Sequence, residues 1–142
     1  MSKPSRLPFW LQLTLPLCLA TAAQAQVVVI SGKSTGDMSK EQVSEVFLGR
    51  ASSLPGGGAA VLFDQPEASP LRDEFYSKVT GKSAAQAKSH WSKLAFTGKG
   101  TPPKEAGSSA EIKKAVASTP GGIGYIEKSA VDDSVKVVHG AN

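Results

Sequence analysis

The chain reads as an α/β protein with a largely parallel sheet, because short β-branched or apolar runs alternate with stretches of helical period along its length after residue 25. Capping signatures at Ser39, Ser83 and Ser108 mark helix starts between those runs, and glycine or proline follows each helix. With 142 residues, no internal repeat and no low-complexity tract, one domain is expected.

The first 25 residues stand apart. Lys3 and Arg6 precede a mostly apolar stretch from Leu7 to Ala22, and Ala23-Gln24-Ala25 supplies the small-x-small pattern that signal peptidase requires. Ala20-Thr21-Ala22 offers a second such site. Pro8 and Pro16 break the apolar run, so a removable secretory signal is the expectation rather than a membrane span of about 20 apolar residues. The one cysteine, Cys18, follows Leu17 where a lipoprotein signal wants Gly or Ala. Cleavage after Ala25 leaves Gln26 to Asn142, a chain with no thiol, so neither a disulfide nor a cysteine-bound metal can staple it. At about 117 residues a single core removes roughly two thirds of the unfolded surface from water, which suffices without staples.

Val27 to Ile30 is a continuous β-branched run and predicts a central strand covered on both faces. Ser39 with Gln42 forms a capping box, Val43, Val46 and Phe47 mark one apolar face, and Gly49 closes the helix. The run Leu54-Pro55-Gly56-Gly57-Gly58 predicts a turn, and Ala59 to Phe63 a second strand. Ser69-Pro70 pairs an N-cap hydroxyl with proline at the first helical position, and Leu71, Phe75 and Val79 follow at four-residue spacing up to Gly81. Ser83 and Gln86 open the next helix, whose stripe of Ala84, Ala87, Trp91 and Leu94 faces the core. Gly98 to Gly107 reads as an irregular connection. Ser108 and Glu111 form a third capping box before Ile112, Ala115 and Val116, and Thr119-Pro120-Gly121 ends that helix. Ile123 to Ile126 and Val135 to Val138 are expected as closing strands.

Charge and motif exclude several functions. The formal net charge is +4, and Lys3 and Arg6 supply two of the excess cations, so the remainder carries no charge that would favour nucleic acid. Gly32-Lys33-Ser34 and Gly81-Lys82-Ser83 invite comparison with a phosphate-binding P-loop, but the required glycine five residues upstream is Val27 in one and Tyr76 in the other. Without a cysteine nucleophile or a GxSxG elbow, and with only His90 and His139 as imidazoles, no enzyme, metal site or cofactor is expected. Lys78, Lys82, Lys88, Lys93, Lys99 and Lys104 form a stretch with no acidic residue between Glu74 and Glu105; such spaced lysines are ordinarily a solvated face. The helix start at Ser69 is a candidate anion site, with the Ser69 hydroxyl and the Arg72 guanidinium on one turn. The alternative is an ordinary cap with Arg72 pairing Asp64 or Glu67.

Four segments resemble the phosphate-type periplasmic substrate-binding proteins of ABC transporters: SKEQVSEVFLG (39–49), DQPEASPLRDEF (64–75), WSKLAFTGKGTPP (91–103) and TPGGIGYI (119–126). The resemblance implies a type II periplasmic-binding-protein fold, here of single-lobe size, in which hydroxyls, an arginine and helix N-termini hold a tetrahedral oxyanion. The family's Arg-x-Asp-x-Ser-Gly-Thr loop corresponds to Asp64–Leu71, where Ser69 keeps the serine, Asp64 stands roughly where the arginine would be, and Pro70 and Leu71 replace Gly and Thr. Arg72 could supply the missing cation, and Ser31, Lys33, Ser34 and Thr35 resemble the hydroxyl-rich loop after a first-lobe strand. The expectation is a periplasmic protein binding phosphate between Ser31–Thr35 and Ser69–Arg72, with a membrane transporter or sensor as partner. The rival expectation, favoured by Asp64, is a ligand-free module docking a membrane sensor, a porin or a second subunit.

Overall fold

The computed structural model describes residues 26–141 apart from Gly57, so the expected signal with Cys18 and its cleavage site lie outside the described residues. Val27–Ser31 forms β1, buried at every position. Its side chains alternate between two cores: Val27 and Val29 join one, Val28 and Ile30 the other. This is the central strand that its unbroken apolar run predicts.

The Ser39 capping box opens α1 (Lys40–Phe47), which buries Val43, Val46 and Phe47. After a loop containing an isolated bridge between Ser53 and Ala59, β2 spans Val61–Asp64, a little later than its expected range. Ser69 caps α2 (Pro70–Thr80) and Ser83 with Gln86 boxes α3 (Ala84–Phe96). A two-residue strand, β3 (Lys104–Glu105), lies in the connection expected to be irregular. It carries no apolar residue and follows two prolines, so it has no periodicity to betray it. The N-cap of α4 (Ser109–Ser118) is Ser108, but the Glu111 carboxylate accepts the Gly107 N–H at 2.6 Å instead of completing a box on the cap. Then come β4 (Gly122–Glu127), a 3-10 turn at Lys128–Ala130 and β5 (Lys136–Ala141), which starts one residue after Val135.

The strands form one sheet in the order β3-β2-β4-β1-β5. β2 runs parallel to β3 and β4, whereas β1 is antiparallel to both β4 and β5. Four strands thus share one direction and β1 alone is reversed; because β1 sits between β4 and β5, two of the four pairings are antiparallel and the sheet is mixed rather than largely parallel. Helices α1, α2 and α3 supply Val46, Phe47, Phe75, Val79 and Ala87 to the core on one face, and α4 supplies Ile112 and Val116 to the core on the other. Within the first core Phe75 stacks on Tyr125 with ring centroids 3.9 Å apart and planes at 8°, and Phe47 meets Phe75 edge-on at 4.8 Å. Trp91 is buried, and its Nε1 donates to the Phe47 carbonyl at 2.8 Å.

Two glycines separate conformational need from steric need. Gly81 ends α2 at φ +72° with open space around a prospective Cβ, whereas at Gly121, φ +75°, a Cβ would lie 1.9 Å from the Ala59 carbonyl oxygen. Gly81→Ala is therefore expected to cost only the left-handed penalty of about 1–2 kcal/mol. Gly121→Ala adds a backbone collision, typically about 1–3 kcal/mol more. Urea midpoints of the two variants measure the gap; equal midpoints would contradict this close approach.

Candidate functional site

β2 ends at Asp64, and the chain turns through residues 65–68 into α2. Asp64 is 3% exposed. Its Oδ1 accepts from the Tyr125 hydroxyl of β4 and from the Gln65 N–H at 3.1 Å, and its Oδ2 accepts from the Tyr76 hydroxyl of α2 at 2.8 Å. Burial holds the Asp64 carboxyl above its ordinary value, against the opposing pull of Tyr125, Arg72, Tyr76 and the Gln65 amide. Burial and the neighbouring Asp64 carboxylate push both tyrosine hydroxyls upward, so they remain donors throughout the physiological range. Gln65, also buried, sends its Nε2 to Ser109 Oγ at 3.0 Å and the Tyr125 carbonyl at 3.1 Å, which ties the start of α4 to the same corner.

On the first turn of α2 the Ser69 Oγ accepts the Leu71 N–H at 3.3 Å. Arg72, 9% exposed, lies 3.7 Å from Asp64 through Nη2, and its Nη1 donates to the Gln65 carbonyl at 3.2 Å and to Glu105 Oε2 at 3.5 Å. Its buried Nε has no hydrogen-bond partner among the described residues. The other oxygen of Glu105 accepts the Glu67 N–H at 3.4 Å. Glu105 is thus a half-exposed carboxylate held by an arginine and a loop amide, which is how an oxyanion is held. Of the two expected partners of Arg72, Asp64 is in place; Glu67 instead pairs with Lys88 at 2.6 Å.

Ser31, Lys33, Ser34 and Thr35 do not join Ser69 and Arg72. Ser31 is level with Ile123 of β4, which is level with Leu62 of β2. Because β1 runs against its neighbours, the chain beyond Ser31 leaves where β2 and β4 begin, whereas Asp64 and α2 lie where β2 ends. The expected cleft between these two groups is therefore corrected to two separate ends of one sheet, and the cause is the reversal of β1. Ser31 Oγ donates to the Gly122 carbonyl at 2.7 Å and shares a hydrogen bond with Thr35 Oγ1 at 3.0 Å, both residues buried. Lys33 and Ser34 are exposed on the turn between them.

Sequence reasoning missed Glu105, Gln65, Tyr76 and Tyr125 as members of this corner. Tyr125 lies within the Gly-Ile-Gly-Tyr segment, but its partner Asp64 is 61 positions away. The histidines hold backbone: His90 Nε2 lies 2.7 Å from the Leu48 carbonyl and His139 Nδ1 3.1 Å from that of Met38. Among the described residues no cluster of metal-ligating side chains occurs. None of the described helices is long and apolar enough to cross a membrane.

The raised pKa of Asp64 gives a signed pH dependence. Between 3.8 and its raised folded value the folded chain holds more protons than the unfolded one. The stability this group contributes is therefore full below 3.8 and lost as pH climbs through the folded value. Asp64→Asn cannot titrate, so its urea midpoint should gain on the wild type as pH rises from about 4 to about 7. A gap that stays constant or moves the other way would contradict the burial of this carboxyl.

No protein-family model and no curated protein matches the chain. Solved structures do. A protein described as a phosphate ABC transporter substrate-binding protein from Clostridium perfringens, with bound phosphate, superposes with a TM-score of 0.63 at 23% identity, over 80% of this chain and 44% of that one. An ABC-type phosphate transport receptor from Vibrio cholerae gives 0.61 at 16% identity over 80% and 45%, and PstS from Borrelia burgdorferi 0.59 at 12% over 80% and 46%. The chain spans less than half the length of each of these neighbours. Over 80% of its length the chain therefore shares the α/β fold of these phosphate-type substrate-binding structures.

Proposed function

We propose that the chain is an exported periplasmic protein of the solute-binding type, released by cleavage near Ala25, that takes a small oxyanion, phosphate, at the first turn of α2. The observation that carries this reading is the Glu105 carboxylate, which accepts from Arg72 and the Glu67 amide where an oxyanion would sit. Glu105 belongs to a two-residue strand at the sheet margin and is half-exposed, so it can yield its donors. Phosphate in its place would receive the Arg72 Nη1 and the Glu67 N–H. The Ser69 hydroxyl, which at present only accepts, has a proton to give. Open α/β sheets bind ligands outside the carboxyl ends of their parallel strands, which is where β2 delivers this group, whereas the reversed β1 carries Ser31–Thr35 to the end where β2 and β4 begin. The Clostridium perfringens neighbour holds phosphate, and on this reading a membrane transporter is the partner.

A second reading, a ligand-free module that docks a membrane sensor, porin or partner subunit, is favoured by one fact: Arg72 already faces two carboxylates, Asp64 and Glu105.

Calorimetric titration of Gln26–Asn142 with phosphate, and with sulfate as control, at low and moderate salt separates the two. The first reading expects saturable phosphate binding that survives added salt. Arg72→Ala should weaken it by about 1.5–3 kcal/mol, the worth of a charge-assisted hydrogen bond, or roughly 10- to 150-fold. Glu105→Gln should tighten it by removing the competing carboxylate. No heat with either anion would transfer the case to the docking module, and an unchanged affinity in Arg72→Ala would remove that residue from the site.

A further inference from the structure

A cavity of about 360 Å³ opens between the end of α1, β2, α3 and the segment that leads from Lys99 to Lys104. Val46, Leu62 and Trp91 line its interior, and Lys99, Thr101 and Lys104 stand on it as exposed residues. None of its lining residues belongs to the Ser69, Arg72 and Glu105 corner. The Trp91 indole nitrogen is occupied by the Phe47 carbonyl, so what the ring offers the cavity is carbon surface. Two glycines make room for that ring: a Cβ on Gly49 would lie 2.9 Å from Trp91 Cη2, and one on Gly100 3.1 Å from Cζ3.

The lining contains no carboxylate, and neither Lys99 nor Lys104 forms an ion pair among the described residues. Of the other lysines in the same acid-free stretch, Lys78 is neutralised by Glu74 and Lys88 by Glu67, while Lys82 and Lys93 are unpaired among the described residues but do not line this cavity. The two that remain uncompensated at this cavity flank an apolar interior, an arrangement that suits a ligand with an apolar body and one anionic end. A volume near the lower limit for small-molecule pockets selects a short-chain or single-ring compound. We propose that this cavity binds a small amphipathic organic acid, its apolar part against Trp91, Leu62 and Val46 and its carboxylate between Lys99 and Lys104.

This assignment is independent of phosphate binding at α2, and the chain carries its own reporter. Of the two tryptophans, Trp10 lies in the expected signal, so Trp91 is the sole tryptophan of Gln26–Asn142. Octanoate titrated into that chain should change Trp91 emission saturably. The double variant Lys99→Ala/Lys104→Ala, at exposed positions, should bind octanoate roughly tenfold more weakly, the combined worth of two solvent-facing ion pairs. The uncharged analogue 1-octanol should bind the wild type with a similar deficit, and inorganic phosphate should neither alter the emission nor displace octanoate. The proposal is overturned by any of three results: no saturable change with octanoate, equal affinity for octanoate in the double variant, or displacement of octanoate by phosphate.

Discussion

A carboxylate removed from water must be repaid locally, and Asp64 is the carboxylate around which this fold is arranged. Even after relaxation, burying such an ion costs several kcal/mol, and removing one partner of a buried pair typically costs about 3–5 kcal/mol. Its donors come from separate elements: Tyr125 from β4, Tyr76 from α2, the Gln65 amide from the turn, with Arg72 nearby. The same two tyrosine rings belong to the aromatic cluster with Phe47 and Phe75. Packing and charge compensation are therefore one construction, and a shift of α2 against β4 would disturb both.

That construction fixes the candidate site. Arg72 is held by the Gln65 carbonyl and the Asp64 carboxylate, so its guanidinium is oriented before any ligand arrives, which spares a ligand the entropy of ordering it. What remains adjustable is Glu105, on the short marginal strand. The protein thus keeps one carboxylate, Asp64, as a buried anchor and presents another, Glu105, at the surface on the same arginine.

Much of the fold was legible because its signals are local. The boxes at Ser39 and Ser83 act over three residues, Ser69-Pro70 over two, and the alternation of Val27 to Ile30 between two cores follows from the apolar run itself. Ser108 shows how thin the margin is: the same spacing that predicts a box sends the Glu111 carboxylate one residue further, to Gly107. Strand direction was not legible. Nothing in Val27–Ser31 distinguishes a parallel from an antiparallel neighbour, and that single reversal separated Ser31–Thr35 from Ser69–Arg72. β3 and Glu105 were hidden for a different reason, since a polar pair behind two prolines looks like loop, and its contact with Arg72 spans 33 positions.

The central claim is that ligand chemistry resides at the carboxyl end of β2, and amide chemical-shift mapping tests it most directly. With inorganic phosphate added to isotope-labelled Gln26–Asn142, the account predicts shifts concentrated on the amides of Gln65, Glu67, Leu71 and Arg72 and on Glu105 across the turn, with Ser31–Thr35 unmoved. Shifts centred on Ser31–Thr35, with the Asp64–Arg72 turn silent, would contradict it.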